Sequence, residues 1–488
     1  MMLRLKPHKS LKSIYSLRNL KHPYPCVFLQ YLCSFTSQRS ILIQEYPVGQ
    51  RKDKKTYLFS KENGSAWKIL NVTDENNFDQ QKSYMPKIDT SLQSIIYNYV
   101  MTHFLPANYP ASVKQGYRQF ASLSFCASIA GSASMVLSTQ TLLLAVGVVG
   151  QGTSASIMAG ALNWVLKDGI GQLGGVWFIS FMGRSTSQFD VNPKYWRMVA
   201  AISLDTATLL ELISPLVPAN WVLLIASIAN VGKNIGFLTA SASRAVLHQA
   251  VAKTGNLGDV TAKAGAQSMA ASLIGTSFGI GISPLLGDIP HFISGFMCLS
   301  LIHLICNYLS LKAVPLAHFN NSRLDMVLKN FIQKDGMVMS PVDVANKENF
   351  LPLPFNINNS NNHQQWLKLG STVQMLGGPK VLKEILEKNK LTVCKPYILV
   401  QQEEIYHLVF TEGATGLQVV QGLYHAYWLH NQSSFSSNYN EYDLEATPKL
   451  SDNLVSKLQE KGWDLSLVAV EPKQAIRLRI VDNFNEKN

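Results

Sequence analysis

Long uncharged stretches dominate the middle of the chain. No charged residue occurs in 119–166, 212–232, 264–287 or 289–311. Uncharged apolar stretches of 18 or more residues are typical of transmembrane helices. We therefore predict six spans, at 126–149, 153–182, 198–217, 220–240, 266–287 and 290–311. The buried helical core of a soluble protein is the alternative, because Ser, Thr, Gly and Ala are frequent in the same stretches.

Basic residues between the predicted spans favour a membrane protein. The connections 183–197 and 241–265 contain Lys and Arg, whereas the other connections contain none. Lys114 before the first span and Lys312 after the last fall on the same side as these basic connections. This one-sided distribution is the pattern that the positive-inside rule describes. It predicts a multi-pass protein whose partner is the lipid bilayer, with both ends of the helical core on the cytoplasmic or matrix-like side.

Small residues recur at the spacing that membrane helices use for close packing. GxxxG motifs occur at 171–175, 232–236 and 275–279. Such motifs let two helix backbones approach each other in a bilayer. They predict helix–helix contacts at these three places.

Composition narrows the class of protein further. Only 15% of the residues are charged, against about 25% in soluble domains, which argues against an ordinary soluble enzyme. The six cysteines are scattered without a CxxC motif, so neither a disulfide scaffold nor a metal site is expected. The net charge of +12 does not predict a nucleic-acid partner, because the basic residues outside the N-terminus alternate with apolar spans.

The N-terminal region is basic and free of acidic residues. Residues 1–44 contain seven Lys or Arg and no Asp or Glu, as in an organellar presequence. Mitochondrial targeting is therefore one prediction, and a disordered basic tail is the alternative. A polar N-terminal region, 45–103, follows before the apolar part of the chain begins.

Several ionisable residues fall inside the predicted spans. Lys167 and Asp168 occupy the middle of the second span and precede a run of glycines, which predicts a broken helix lining a cavity. Asp205 and Glu211 lie in the third span and Lys233 in the fourth. Because Asp205 and Lys233 are nearly equidistant from the intervening turn, we expect them to pair. Ionisable residues within a membrane are functional candidates, and a salt bridge that only fixes packing is the alternative.

Enzyme motifs occur without the context they need. Residues 169–174 match GxGxxG but follow a helical run rather than a strand, and 275–279 match GxSxG inside an uncharged stretch without strand character. We therefore predict neither catalytic residues nor a metal, and expect that the protein is not an enzyme.

The C-terminal part has ordinary charge density. An amphipathic helix is predicted at 322–335, within a helix-and-linker region, 319–365, that ends in an Asn-rich tract. Residues 366–488 predict a small α+β domain that binds a partner or a second copy. Its expected elements are strands at 394–401, 405–411, 465–471 and 475–481 and helices at 414–430 and 448–461.

Short motifs in one order resemble a known family. They lie at 104–113, 163–171, 194–197, 243–245, 259–263 and 323–328. Together they resemble the root UV-B sensitive (RUS) family from residue 104 to the C-terminus. The resemblance implies a mainly α, membrane-embedded helical core, 104–318, in a protein linked to vitamin B6 homeostasis and the UV-B response. It also implies no established catalytic activity.

Combining the polar residues of the core with the family positions gives ten candidate functional residues. They are Lys167, Asp168, Arg197, Asp205, Glu211, Lys233, Arg244, Asp259, Lys263 and Gln267. The chain departs from the family pattern at five polar positions, which are Ala201, Leu204, Ala250, Ala264 and Ser268. The resemblance therefore leaves open whether a family ligand is bound in the same way.

Two functions follow from these observations. The first is an integral membrane protein that handles, senses or scaffolds around a small molecule without catalysis. The second is a membrane-bound enzyme or B6-vitamer-binding protein that uses Lys167 or Lys233. The sequence requires no cofactor, and pyridoxal phosphate is suggested only by the family. Another RUS-family protein or a second copy is the expected protein partner.

Overall fold

The protein is described by a computed structural model that forms two compact units, Met1–Thr102 and His103–Asn488. The described residues are 27–31, 39–45, 55–61, 68–71, 99–145, 154–183, 188–253, 255–334, 336–352, 366–380, 383, 396–402, 404–433, 447–471 and 475–479.

An antiparallel four-stranded meander makes up most of the described part of the first unit. Its strands are β1 (Val27–Tyr31), β2 (Arg39–Glu45), β3 (Lys55–Lys61) and β4 (Lys68–Asn71), paired in chain order. The sequence analysis did not predict this sheet, and its boundary at residue 44 falls inside β2. The targeting prediction for 1–44 concerns residues that lie mostly outside those described, and it stays a prediction.

Six long helices form the core of the second unit. They are α1 (Tyr117–Ala145), α2 (Ser154–Gly183), α3 (Pro193–Leu212), α4 (Ala219–Val251), α5 (Leu257–Leu286) and α6 (Ile289–Lys312). Among the described residues, α1 and α3–α6 are long and apolar enough to cross a membrane. The prediction of a mainly helical, membrane-embedded core is therefore confirmed. The predicted second span coincides with α2, which is 30 residues long but is not among these helices. The described residues therefore support five of the six predicted spans.

Glycines allow a close contact between α1 and α5. A Cβ atom at Gly275 would lie 2.3 Å from the carbonyl oxygen of Ile129, and one at Gly279 would lie 3.0 Å from that of Ala133. The GxxxG motif at 275–279 thus marks a helix interface, as predicted. Helices α3 and α4 form a hairpin around a short 3₁₀ turn, Ser214–Leu216.

The helix ends that the sequence predicts on the basic side lie together at one end of the bundle. The backbone N–H of Lys114, just before α1, donates to the carbonyl oxygen of Val251 at the end of α4 (2.8 Å). Val113 and Ala252 form a β-bridge at the same place. We call this end, where α1, α3 and α5 begin and α4 and α6 finish, the basic end. Which side of a membrane it faces remains a prediction.

The C-terminal part is an α+β arrangement, as predicted. Strand β5 (His318–Asn320) pairs in parallel with β9 (Asp464–Ala469), and β6 (Leu367–Leu369), β8 (Ile405–Phe410) and β7 (Tyr397–Gln402) form a second sheet in that order. Its helices are α7 (Asn321–Gln333), α8 (Pro341–Lys347), α9 (Gly416–Ser433) and α10 (Thr447–Glu460). The strand predicted at 475–481 is reduced, within the described residues, to one bridge between Leu478 and Thr411.

A buried ion triad joins the bundle to the C-terminal part. Glu348 lies 2.8 Å from Arg323 of α7 and 3.0 Å from Lys194 of α3, measured from carboxylate oxygens to side-chain nitrogens. Burial alone would raise the pKa of Glu348, but Arg323 and Lys194 outweigh it and hold this pKa below its usual value. The boundary predicted at 318 therefore does not separate two compact units, because buried charges span it.

Candidate functional site: a charged cleft in the helical bundle

Helix α2 brings Lys167 and Asp168 to the side of α4. The predicted break in this helix is wrong, since α2 runs without interruption through its glycines. These glycines instead allow close packing: a Cβ atom at Gly171 would lie 2.2 Å from Asn230, and one at Gly174 would lie 2.6 Å from Val231. Helices α2 and α4 consequently lie side by side and run in the same direction.

Glu211 is the centre of a cluster of four charged side chains. Its carboxylate contacts the ammonium group of Lys233 and accepts a hydrogen bond of 2.8 Å from the Ser138 hydroxyl. Lys167 Nζ lies 3.9 Å from the other Glu211 oxygen and 3.0 Å from Asp168 Oδ1. The Glu211 side chain is 2% exposed. Two lysines and two carboxylates thus neutralise each other within the bundle.

Asn230 of α4 holds the α2 pair in place. Its side-chain amide donates to the carbonyl oxygen of Lys167 (3.1 Å) and to Asp168 Oδ1 (3.2 Å). Lys167 Nζ also lies 4.4 Å from the centroid of the Trp164 ring, within the range of a cation–π interaction. The Lys167 ammonium is therefore fixed by a carboxylate and an aromatic face at once.

These side chains border a cleft of about 330 Å³, which we call the charged cleft. It is lined by Met135, Thr139, Trp164, Lys167, Asp168, Gln172, Glu211, Asn230, Lys233, Asn234 and Phe237. Asp168 is 45% exposed. Its second oxygen, Oδ2, makes no hydrogen bond or ion pair with a residue that the structure describes. The cleft therefore offers an acceptor to an incoming molecule while its formal charge sums to zero.

The predicted Asp205–Lys233 pair is wrong. Asp205 binds the α6 side chains of His303 (Nδ1 to Oδ1, 2.8 Å) and Ser300 (2.6 Å), and Lys233 binds Glu211. Helical side chains lean toward the N-terminus of their own helix. In an antiparallel hairpin, Lys233 therefore leans toward the end of α3, where Glu211 lies, while Asp205 leans the opposite way. Equal depth along the hairpin was correctly inferred but does not bring these two side chains together.

Three other candidates meet at the basic end. Arg197 of α3, Arg244 of α4 and Gln267 of α5 line one pocket there. Ala264 and Ser268, two positions at which the chain departs from the family pattern, line the same pocket. The structure thus separates these three candidates from the charged cleft.

Asp259 and Lys263 fasten the segment that precedes α1. Asp259 Oδ2 accepts a hydrogen bond of 2.7 Å from the backbone N–H of Ala107, and Lys263 Nζ donates to the carbonyl oxygen of His103 (3.2 Å). Gln267 donates to the next carbonyl oxygen, that of Phe104 (2.6 Å). These contacts position the chain at the start of the bundle rather than line the charged cleft.

Sequence reasoning missed three partners of the charged residues. Asn230, Ser138 and His303 are uncharged residues in apolar stretches, and none was singled out for its partner. Asn230 could have been noticed only as a polar amide side chain within the predicted span 220–240. Among the described residues no group of His, Cys, Asp and Glu is arranged to hold a metal ion.

Known proteins place the chain in a family. A family model described as the vitamin B6 photo-protection and homoeostasis domain matches residues 90–335, which is half of the chain. The chain belongs to the root UV-B sensitive family. The RUS resemblance of the short motifs is thereby confirmed.

Individual RUS relatives match over most of their length or over half of it. The chain is 29% identical to protein root UVB sensitive 3 of Arabidopsis thaliana over 374 residues, covering 75% of this chain and 83% of that protein. It is 29% identical to protein root UVB sensitive 5 of the same plant over 453 residues, 87% and 84% of the two chains. RUS family member 1 of Dictyostelium discoideum is 31% identical over 283 residues, 57% and 52%. No solved structure gives a significant match.

Proposed function

We propose that this RUS protein is an integral membrane protein that handles a small polar molecule in the charged cleft without catalysing a reaction. One observation carries the proposal: two lysines and two carboxylates line a cleft of about 330 Å³ in the helical bundle. Ionisable groups at membrane depth are costly and usually face a cavity or a ligand path. A wholly structural pair would not need an open, polar cleft beside it.

The cleft chemistry favours a molecule of low net charge. Its own charges cancel, so an anion or cation would bring an uncompensated charge beside the buried Glu211–Lys233 pair. Trp164 and Phe237 supply aromatic faces, and Asn230, Asn234 and Gln172 supply amide groups. A small heteroaromatic molecule with hydroxyl or zwitterionic groups matches this lining. Pyridoxine is such a molecule, and the description of the family model, which names vitamin B6, makes it the first probe.

Binding of pyridoxine to the purified full-length protein in lipid nanodiscs tests the proposal. Asp168→Asn removes a charged acceptor that is half exposed, so the fold should tolerate it. Since hydrogen bonds to charged groups contribute about 1.5–3 kcal/mol, we expect affinity to fall at least about ten-fold. Asp288→Asn is the matched control, because Asp288 is an exposed carboxylate outside the cleft. No binding by the unmodified protein, or equal affinity in both variants, would refute the proposal.

Uptake of labelled pyridoxine into proteoliposomes separates transport from sensing. Uptake that depends on Asp168 supports a carrier, and binding without uptake supports a sensor or scaffold. Either result retains handling in the cleft. Association with a second RUS protein or a second copy remains part of the proposal, and cross-linking in the same liposomes detects it.

The alternative of a reactive lysine predicts a different result. A Schiff base requires a neutral amine, but Lys167 and Lys233 both pair with carboxylates. We expect that borohydride reduction after incubation with pyridoxal phosphate leaves both lysines unmodified in the folded protein. A specific adduct at either position, found by peptide mass spectrometry, would favour the covalent alternative.

A further inference from the structure

Five helices contribute to a small pocket at the basic end, separate from the charged cleft. Its lining is Tyr117, Phe120, Ala121, Ser124, Phe125 and Ser128 of α1, Arg197 of α3, Arg244, Leu247 and His248 of α4, Val260, Ala264, Gln267 and Ser268 of α5, and Ser310 and Leu311 of α6. Its volume is about 70 Å³, whereas one water needs about 10–15 Å³ on this kind of measure. The pocket therefore has room for a small polar group.

The two arginines of this pocket lack a counter-charge. Neither the Arg197 nor the Arg244 guanidinium makes a hydrogen bond or ion pair with a residue that the structure describes. Arg197 is partly buried, and Arg244 is exposed at the same pocket. Two guanidinium groups that share one pocket repel each other unless an anion lies between them. The pocket therefore has a positive potential that favours the binding of an anion.

Four buried bases of this unit lie beside carboxylates. Lys167 and Lys233 pair with Glu211, and Lys194 and Arg323 pair with Glu348. A carboxylate at the basic end, Asp259, instead accepts a hydrogen bond from a backbone N–H group. Among the described residues, Arg197 and Arg244 thus differ from these four bases, each of which lies within 4 Å of a carboxylate.

Neutral donors complete the surroundings of the arginines. The Tyr117 hydroxyl accepts a hydrogen bond from Gln267 Nε2 (3.4 Å), which leaves its own proton free to donate. The hydroxyl groups of Ser124 and Ser268 lie at the same pocket. Helices α1 and α5 both begin here, and helix N-termini favour negative charge. Guanidinium, hydroxyl and helix N-terminal groups are together the donors that recognise phosphate and carboxylate.

We propose that the pocket formed by Arg197 and Arg244, here called the arginine pocket, binds an oxyanion, namely a phosphate or carboxylate group. Because the enclosed volume is small, only the anionic group fits inside, and the rest of the ligand extends outward past exposed Arg244. The ligand is then either a soluble phosphate or carboxylate compound or the headgroup of an anionic lipid. This proposal is independent of the charged cleft, since no residue lines both sites.

Two nanodisc preparations of the full-length protein distinguish the two sources. In the first, the bilayer is phosphatidylcholine alone, and binding of radiolabelled inorganic phosphate and of acetate is measured. In the second, phosphatidic acid is included, and retained lipid is counted by native mass spectrometry. Phosphate or acetate binding in the first preparation indicates a soluble ligand. Retention of phosphatidic acid without such binding indicates a lipid headgroup.

Substitution of the arginines decides whether the site is the arginine pocket. We expect Arg197→Gln and Arg244→Gln each to weaken binding at least about ten-fold, because each removes a charge-assisted hydrogen bond. Arg118→Gln is the matched control: Arg118 is an exposed arginine at the same end that does not line the pocket. If Arg197→Gln folds poorly, Arg197→Lys takes its place in the test. Because it keeps the charge, it should retain part of the affinity.

A fourth variant tests the pocket without removing an arginine. Ser268→Glu places a carboxylate in the pocket that both arginines line, and we expect it to abolish oxyanion binding by competition. Unchanged binding of phosphate, acetate and phosphatidic acid in Arg197→Lys, Arg244→Gln and Ser268→Glu would overturn the proposal. So would the failure of all three probes to bind the unmodified protein.

Discussion

The charged cleft and the arginine pocket belong to one helical bundle, but only the cleft neutralises its own bases. Glu211 and Asp168 face Lys167 and Lys233, so the charges of the cleft are neutralised without a bound ligand. The arginine pocket presents two guanidinium groups without a carboxylate among the described residues. A neutralised site selects molecules of low net charge, and an uncompensated one selects anions. We therefore expect the two sites to bind ligands of different charge.

Removal of the central carboxylate should produce the largest effect. Glu211→Gln leaves Lys233 buried without a counter-charge, and breaking a buried ion pair costs about 3–5 kcal/mol. We expect poor recovery of folded protein by size-exclusion chromatography in detergent. Glu211→Gln combined with Lys233→Gln should recover part of the loss, because no charge is then left unpaired.

Asp168→Asn serves as the control for this loss. Asp168 is 45% exposed, so its ion pair should contribute about 1 kcal/mol or less. Equal recovery of Glu211→Gln and Asp168→Asn would show that Glu211 is not the centre of the cluster.

Acidification should protonate His318 and so add a positive charge near the Lys194–Glu348–Arg323 triad. Burial, and then the positive charge of Arg323, lower the pKa of His318 to about 4. The unfolded chain binds this proton near pH 6.5, so stability is lost as pH falls from about 6.5 toward 4. Between pH 7.5 and 5 this linkage corresponds to about 2 kcal/mol.

Thermal unfolding at these two pH values measures the linkage. His318→Gln removes the titrating group, so its stability should change less with pH than that of the unmodified protein. An identical pH dependence in both proteins would contradict the assignment to His318.

A single methyl group should damage the cleft and spare the arginine pocket. In Gly171→Ala the new Cβ would lie 2.2 Å from Asn230 Nδ2, and overpacking typically costs about 1–3 kcal/mol. Gly169→Ala is the matched control, since no atom lies within 4 Å of its Cβ position. We expect a lower thermal midpoint and weaker pyridoxine binding only in Gly171→Ala. Equal effects would mean that α2 does not pack closely on α4.

The smallest expected change is a gain in stability. Ser268→Glu gives the arginine pocket the carboxylate that the cleft already has, and a partly exposed ion pair contributes about 1 kcal/mol or less. The thermal midpoint without ligand should rise slightly, and the increase produced by added phosphate should disappear. A lower midpoint with an intact phosphate response would show that Ser268 does not face the arginines.

Helix positions were predictable because uncharged length is a local property. The stretches 119–166 and 264–287 mark α1 and α5 without any tertiary information. The sheet β1–β4 was not predicted because its strands are short and lie in a segment rich in charged and polar residues. The triad across residue 318 was missed as well, since Lys194 and Glu348 are distant in sequence.

The sequence allows candidate residues to be selected one at a time, but it does not show which of them lie together. Hairpin geometry placed Asp205 and Lys233 at equal depth, yet the lean of each side chain along its own helix decided the partners. Arg197, Arg244 and Gln267 come from three helices, and no spacing within the chain reveals that they share a pocket. The family resemblance identified these residues as a set without indicating what they surround.

The contact between Asn230 and the Lys167–Asp168 pair also determines when α2 can pack during synthesis. Asn230 follows Lys167 by 63 residues. At about 5–20 residues per second, α2 leaves the ribosome roughly 3–13 s before its neighbour on α4 is complete. Throughout that interval Lys167 and Asp168 lack the Asn230 amide that later holds them. A helix that carries an adjacent lysine and aspartate therefore reaches its final packing only after a later helix has been made.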